Sequence, residues 1–274
     1  MSTEFRLKPY LTRIGFEGAE APDLATLKAL HACHVKAIPF ESFDPLLGRP
    51  VQLGLGALQG KLVDSRRGGY CFEQNAVFKA ALETIGFKVT GLAGRVRWMS
   101  HPDSPLGPKV HMLLKVDLPE GPHLADVGFG VCVLDTPLQF RTDIEQRTAM
   151  GTYRLTEEDG LTSLSAKRST GWRTKYVFTL QPQIQSDYEL GNWYTSTSPD
   201  VPFTSTLIME RVDSDIRYKL MNRRLTIEAR DGEVTDERTI GSADELRRVL
   251  DETFKVTPPA PVDEIFARLG KATA

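Results

Sequence analysis

The apolar positions of this chain change period along its length. Through residues 1–86 they recur at helical spacing: Leu24, Leu27, Leu30 and, one turn beyond His34, Ile38 follow the Pro22-Asp23 pair. That spacing lays an apolar stripe along a helix, and Pro39 ends it. A second helix opens at Gly68-Gly69-Tyr70-Cys71. Phe72, Ala76, Ala80, Leu82 and Ile85 supply its apolar side, and Gly86 stands where a left-handed cap is wanted. From Lys88 to about Tyr194 the texture turns to β. Val110, Met112, Leu114, Val116 and Leu118 alternate strictly with other residues, which is the period of a strand. Residues 119–122, Pro-Glu-Gly-Pro, make a turn. A short strand over 123–127 follows and runs into Gly128-Phe129-Gly130. Further strands are expected over 151–155, 161–166 and 174–180. Several short strands separated by turns predict a small barrel or sandwich. Beyond this, 205–212, 216–221 and 224–229 read as strands, with a turn at Asp231-Gly232. Ser242 and Glu245 form a capping box that opens a helix reaching about Phe254. After the stiff segment 258–261, residues 262–269 form a last helix.

Composition narrows the class. The 274 residues include 41% hydrophobic and 26% charged positions, as in a globular protein, and the change of texture along the chain makes the expected fold class α+β. With 34 basic and 36 acidic residues, the net charge of −2 gives no bulk attraction to nucleic acid or to an anionic membrane. The opening MSTEFRLKPY lacks the apolar core of a signal peptide. No run of 18 apolar residues suggests a membrane span. Cys33, Cys71 and Cys132 do not form a disulfide pattern. The expected compartment is a reducing cytoplasm, where a thiol stays free.

Cys71 has the most distinctive surroundings. It begins an amphipathic helix, where free N–H groups and the helix dipole favour an anion and hence a thiolate. The bland alternative is a buried cysteine acting as a small hydrophobe. A cysteine nucleophile needs a base, and the base needs a third group to orient it. His111 lies in the alternating strand on the face opposite Met112 and Leu114, and Asp126 lies on the next strand. An exposed strand histidine and a strand-end aspartate are the competing explanation. Register decides between them. A hairpin centred on residues 120–121 pairs His111 with Gly130 and Asp126 with Lys115, leaving the carboxylate roughly 13 Å along the strand. A turn centred on residues 118–119 sets His111 opposite Asp126. A catalytic set requires the second register, or a bulge with the same effect.

Other chemistry recedes. His31, Cys33 and His34 lack a matching second half for a metal site, and His34 falls on the apolar stripe as a hydrogen-bonded core histidine. His101 and His123 lie beside proline or turn residues and read as surface positions. No phosphate-binding G-x-x-x-x-G-K-[ST], no dinucleotide G-x-G-x-x-G and no G-x-S-x-G elbow occurs.

Residues 66–75, RRGGYCFEQN, resemble the signature around the catalytic cysteine of the arylamine N-acetyltransferases. Residues 38–41 (IPFE), 10–15 (YLTRIG), 110–112 (VHM), 126–130 (DVGFG) and 193–203 (WYTSTSPDVPF) resemble further segments of that family. The matches cover roughly the first 210 residues. Ser42, where many members have Asn, and Val110, where a polar residue is common, depart from the pattern at positions expected to alter substrate preference. The resemblance implies a helical domain over 1–86, an antiparallel β-barrel domain over 87–195 and an α/β lid over 196–274. It implies Cys71, His111 and Asp126 as a Cys-His-Asp catalytic core. It also implies Phe40, Val96, Phe129 and Phe203 lining an acceptor pocket, and Gly128 and Gly130 letting the coenzyme A chain approach the backbone. Acetyl-CoA would be a co-substrate rather than a tightly bound cofactor, arylamines or arylhydrazines the acceptors, and the protein a monomer or homodimer. A cysteine hydrolase or transglutaminase-like enzyme shares the same catalytic logic, and a catalytically dead binding protein would keep the pocket. Arg13 and Glu41 are candidates for an ion pair beneath the site, and Tyr70 for packing beside the nucleophile.

Overall fold

The computed structural model describes residues 5–98, 100–101 and 103–270. The helix Leu24–Ala37 begins at Asp23, whose side chain accepts from the Thr26 N–H at 2.8 Å. The helix Cys71–Ile85 begins after Tyr70, and the Glu73 carboxylate reaches back to the Tyr70 N–H at 3.0 Å. It stops at Gly86, whose φ of 108° needs a residue without a Cβ. Leu27, Leu30, Phe78 and Leu82 from these helices share one core with Tyr10 and Ile14 of the helix Leu7–Ile14.

The strands are β1 (Phe40–Glu41), β2 (Lys88–Val96), β3 (His111–Asp117), β4 (His123–Ala125), β5 (Leu138–Gln139), β6 (Gln146–Arg147), β7 (Thr152–Glu158), β8 (Leu161–Arg168), β9 (Gly171–Phe178), β10 (Ile208–Asp213), β11 (Ile216–Met221), β12 (Arg224–Glu228) and β13 (Val234–Thr239). An antiparallel sheet in the order β5-β4-β3-β2-β9-β8-β7-β6 curls into a nearly closed barrel. At its seam the Gln146 side chain accepts from the Gln139 N–H at 2.8 Å and donates to the Gln139 carbonyl at 2.9 Å. Leu92, Leu113, Leu155, Leu164 and Tyr176 fill the interior. Strand β3 is covered on both sides, because Met112, Leu114 and Val116 pack on the helices instead. The second sheet has the order β1-β10-β11-β12-β13, so the segment after the first helices supplies its edge. Its core joins Leu220 and Leu225 to Leu246 of the helix Ala243–Arg248, to Phe254 and to Ile265 of the helix Val262–Arg268.

Several details differ from the sequence reading. Gln185–Thr197 is a helix, although the β texture extends to about residue 194. It buries Tyr188, Gly191, Asn192 and Thr195 at helical spacing while Leu190 and Trp193 face solvent, so its most apolar residues lie off the packed face. Strand β13 has no buried residue and gives no apolar alternation to detect. His123 is buried, not at the surface. The β3–β4 hairpin takes neither anticipated register. Lys115 pairs with Leu124 and Leu114 with Ala125, midway between the two alternatives. Continued one step, that pairing sets Asp126 opposite Leu113, diagonal to His111 on the same face, which is within reach of side chains of this length.

Candidate active site

Cys71 is the first residue of its helix and is nearly buried. Its thiol donates to the Val110 carbonyl, with Sγ 3.6 Å from the oxygen, and it stands close enough to His111 to influence the imidazole. Val110 immediately precedes β3, so the strand brings its histidine to the start of the helix. The two contacts leave the sulfur facing the imidazole at the junction of helices and barrel.

The His111 Nε2 lies 2.9 Å from Asp126 Oδ2. Asp126 is fully buried and every oxygen is occupied. Oδ2 also accepts from the Tyr176 hydroxyl at 2.9 Å, while Oδ1 accepts from Asn75 Nδ2 at 3.0 Å and from the Gly128 N–H at 3.1 Å. Burial alone would raise the Asp126 pKa. The charge and hydrogen bond of His111, the charge of Lys175 and the Asn75 amide override it and hold the carboxyl well below the usual range. For His111 burial acts downward, but the Asp126 charge and hydrogen bond, with a contribution from Cys71, push the imidazole up to about 9. Asp126 therefore fixes Nε2, and the other ring nitrogen is free to serve the sulfur.

Asn75 and Tyr176 are contacts of Asp126 that the sequence reading missed. Asn75 lies one turn after Cys71 on the same helix. Besides Asp126 it donates to the Met112 carbonyl at 2.8 Å and accepts from the Val127 N–H at 3.1 Å. Its spacing from Cys71 was an available signal. Tyr176 packs on the His111 ring at 4.7 Å between centroids, and nothing in its strand distinguishes it from a core tyrosine.

The anticipated pocket residues divide into two groups. Phe129 stands edge-on to His111 at 5.1 Å and against Trp98 at 6.2 Å. Phe40 and Phe203 meet at 5.9 Å, and Phe203 also meets Tyr70 at 6.0 Å. Val96 ends β2 opposite Tyr176 and packs on the barrel interior. The two glycines have protein neighbours of their own. A Cβ on Gly128 would lie 2.7 Å from the Cys71 Cα, and one on Gly130 would lie 2.3 Å from the Phe40 ring. Next in the chain, Val131 has φ of 116°, a strained value for a β-branched residue. The buried Glu210 of β10 holds it there, accepting from the Val131 N–H and, at 2.8 Å, from the Val133 N–H. Ser42 is fully buried and ties β1 to β10 by accepting from the Ile208 N–H at 2.9 Å.

Beneath the site Glu41 pairs with Arg67, not with Arg13. The Arg67 guanidinium lies 2.7 Å from Glu41 Oε1 and 3.2 Å from Asp44. Arg13 instead donates to the Leu62 and Ala37 carbonyls at 3.1 and 2.8 Å. His34 is held between the Tyr10 hydroxyl at 2.8 Å and Gln74 Oε1 at 2.6 Å. Tyr70 is buried and its hydroxyl donates to Asn192.

The N-acetyltransferase family model matches residues 23–260. The chain belongs to the arylamine N-acetyltransferase family. It is therefore an acyltransferase, and acetyl transfer is the activity of its relatives. An arylamine N-acetyltransferase of Mycolicibacterium smegmatis is 44% identical over 80% of each chain, and one of Escherichia coli is 39% identical over 90% of this chain and 88% of its own. Among solved structures, the Mycobacterium marinum arylamine N-acetyltransferase in complex with CoA superposes with a TM-score of 0.91 at 35% identity, covering 97% of this chain and all of its own. Among the described residues no helix is long and apolar enough to cross a membrane.

Proposed function

We propose that this acetyltransferase moves an acetyl group from acetyl-CoA to the nitrogen of an arylamine or arylhydrazine in two steps, through an acetyl-cysteine at Cys71. The carrying observation is the His111–Asp126 hydrogen bond, made beside the Cys71 thiol at its helix start. His111 takes the thiol proton, and the sulfur adds to the thioester carbonyl. The Cys71 backbone N–H, at a helix position with no intrahelical acceptor, is positioned as a donor to the oxyanion. Collapse expels the coenzyme A thiolate, which recovers the proton from His111. The amine then attacks the acetyl-cysteine carbonyl while His111 removes its proton, a role typically contributing about 10²–10⁴-fold. The second collapse releases the amide and returns the thiolate–imidazolium pair. Poorly basic aromatic amines suit this base because they are unprotonated at neutral pH. Phe40, Phe129 and Phe203 provide apolar surface around the sulfur for such a ring, with Val96 at the barrel end. The backbone of the 128–130 loop, beside Cys71 and Phe40, is the proposed path of the coenzyme A chain.

Intact-protein mass spectrometry tests this directly. Acetyl-CoA alone should add one acetyl group, lost on adding an arylamine and absent in Cys71→Ser. Release of free coenzyme A at the same rate without amine would make the protein a hydrolase instead.

A further inference from the structure

Strand β9 does not keep step with β8. Leu164 faces Tyr176 and the next residue, Ser165, faces Thr174, so Lys175 is the extra residue of a β-bulge. A bulge breaks the alternation of side chains and re-aims one of them. Here both Lys175 and Tyr176 are wholly buried. The Lys175 Nζ stands 4.7 Å from the Phe129 ring centre, 5.5 Å from that of Tyr176 and 5.6 Å from that of Tyr153. It meets no hydrogen-bond acceptor among the described residues. An ammonium so placed is costly, and attraction to aromatic faces offsets only part of that cost.

The rings that hold the ammonium also hold the base. Phe129 and Tyr176 both pack on His111, and Tyr176 donates to Asp126. The charged and titratable neighbours of Lys175 are Cys132, Asp126 and Glu210, which favour its charge, and Arg217, which opposes it; Tyr153 and Tyr176 complete the shell. Across Asp126, on the helical side, His31 also feels the ammonium. Burial, the largest influence, moves the Lys175 pKa below the usual lysine value.

We infer that Lys175 is a positioning residue for acyl transfer, a cation delivered by the β9 bulge to the barrel interior, where it biases Cys71, His111 and Asp126 toward their less protonated forms. The inference rests on the assignment of those three residues under the proposed function.

The test follows alkylation of Cys71 by iodoacetamide as a function of pH, read by peptide mass, in the parent, Lys175→Met and Lys175→Arg. Removing a nearby positive charge disfavours a thiolate, so the acid limb in Lys175→Met should move to higher pH by at least about half a unit. Lys175→Arg should restore it. A purely structural role would lower the melting temperature and leave the limb in place; a limb in Lys175→Met within about 0.2 unit of the parent overturns the inference. The catalytic assignment is checked beforehand in the parent by acetylation of Cys71, so its failure is seen before any Lys175 variant is compared. Should Lys175→Met not fold, the parent labelled with ¹⁵N-lysine decides. The Lys175 Nζ resonance, identified by its loss in Lys175→Arg, should move as Cys71 and His111 titrate. A resonance that stays fixed, or that reports a neutral amine at pH 7, refutes the charge role.

Discussion

Asn75 holds Asp126 from the helix that carries Cys71: its Nδ2 donates to Oδ1 across 3.0 Å, one turn beyond the sulfur. Cys71 and Asp126, the proposed nucleophile and the proposed orienter of the base, are thereby referred to one rigid element, although they come from different parts of the chain. Asn75→Ala leaves the Met112 carbonyl and the Val127 N–H without their partner, and each such buried orphan costs about 1–3 kcal/mol. The melting temperature should fall by several degrees, and kcat/KM by about tenfold or more through misplacement of the base. Thermal unfolding and steady-state rates check both; a variant with the parent's kcat/KM would show that Asp126 needs no support from the helix.

Gly128 tests the same junction from the other side. In Gly128→Ala the added methyl meets the Cys71 Cα at 2.7 Å and Asn75 Nδ2 at 2.9 Å; the first is backbone and the second a side-chain amide held by its bonds to Met112 and Asp126. Overpacking of this kind costs about 1–3 kcal/mol. The displaced helix start should slow Cys71 alkylation as well as turnover. Retained alkylation at a lowered melting temperature would separate stability from chemistry.

Arg67 makes a prediction about stability alone. Its partner Glu41 has no exposed side-chain surface, so Arg67→Met strands a buried carboxylate. Breaking one side of such a pair costs about 3–5 kcal/mol, whereas replacing both sides costs much less. Denaturant midpoints should therefore drop sharply in Arg67→Met and recover in part in the double variant with Glu41→Gln. A double variant no more stable than the single would contradict the pairing.

Stability should peak between two histidine-controlled limbs. Burial holds His34 down to about 4 and His31 to about 3, against about 6.5 in an unfolded chain. As pH falls below about 6.5 the unfolded chain takes up protons that the folded chain refuses, so stability declines toward pH 4. His111 has the opposite sign. Its pKa is raised to about 9, so its contribution is complete below about 6.5 and is lost as pH rises through 9. Urea unfolding across this range gives the curve, and His34→Gln should flatten its acid side by about one proton. An unchanged acid slope in His34→Gln would remove His34 from the account.

The sequence exposed the elements whose pattern is simple. The stripe through Leu27 and Leu30, the cysteine at a helix start and the alternation along β3 are all present in the structure. The register of the β3–β4 hairpin was not readable, because the Pro-Glu-Gly-Pro turn accommodates several pairings, and the diagonal one that forms depends on packing around Asp126. Asn75 could have been singled out by its spacing from Cys71. Tyr176 and Lys175 could not, since a bulge that turns neighbouring residues to one interior leaves no mark in the alternation. Glu41 chose Arg67 over Arg13 because the chain folds Gly68-Gly69 against β1, a contact that residue types alone do not announce.

Glu210 has a wider effect than its position on β10 suggests. It fixes the backbone of Val131 and Val133 and is joined through Arg217 to Glu228, which Arg168 and Lys219 also grip. The second sheet and the stretch bearing Phe129 are thus one mechanical part. Such a part cannot move without dragging the wall that bears Phe129 along, so under the proposed function acceptors would be sorted by how they fit a fixed mould.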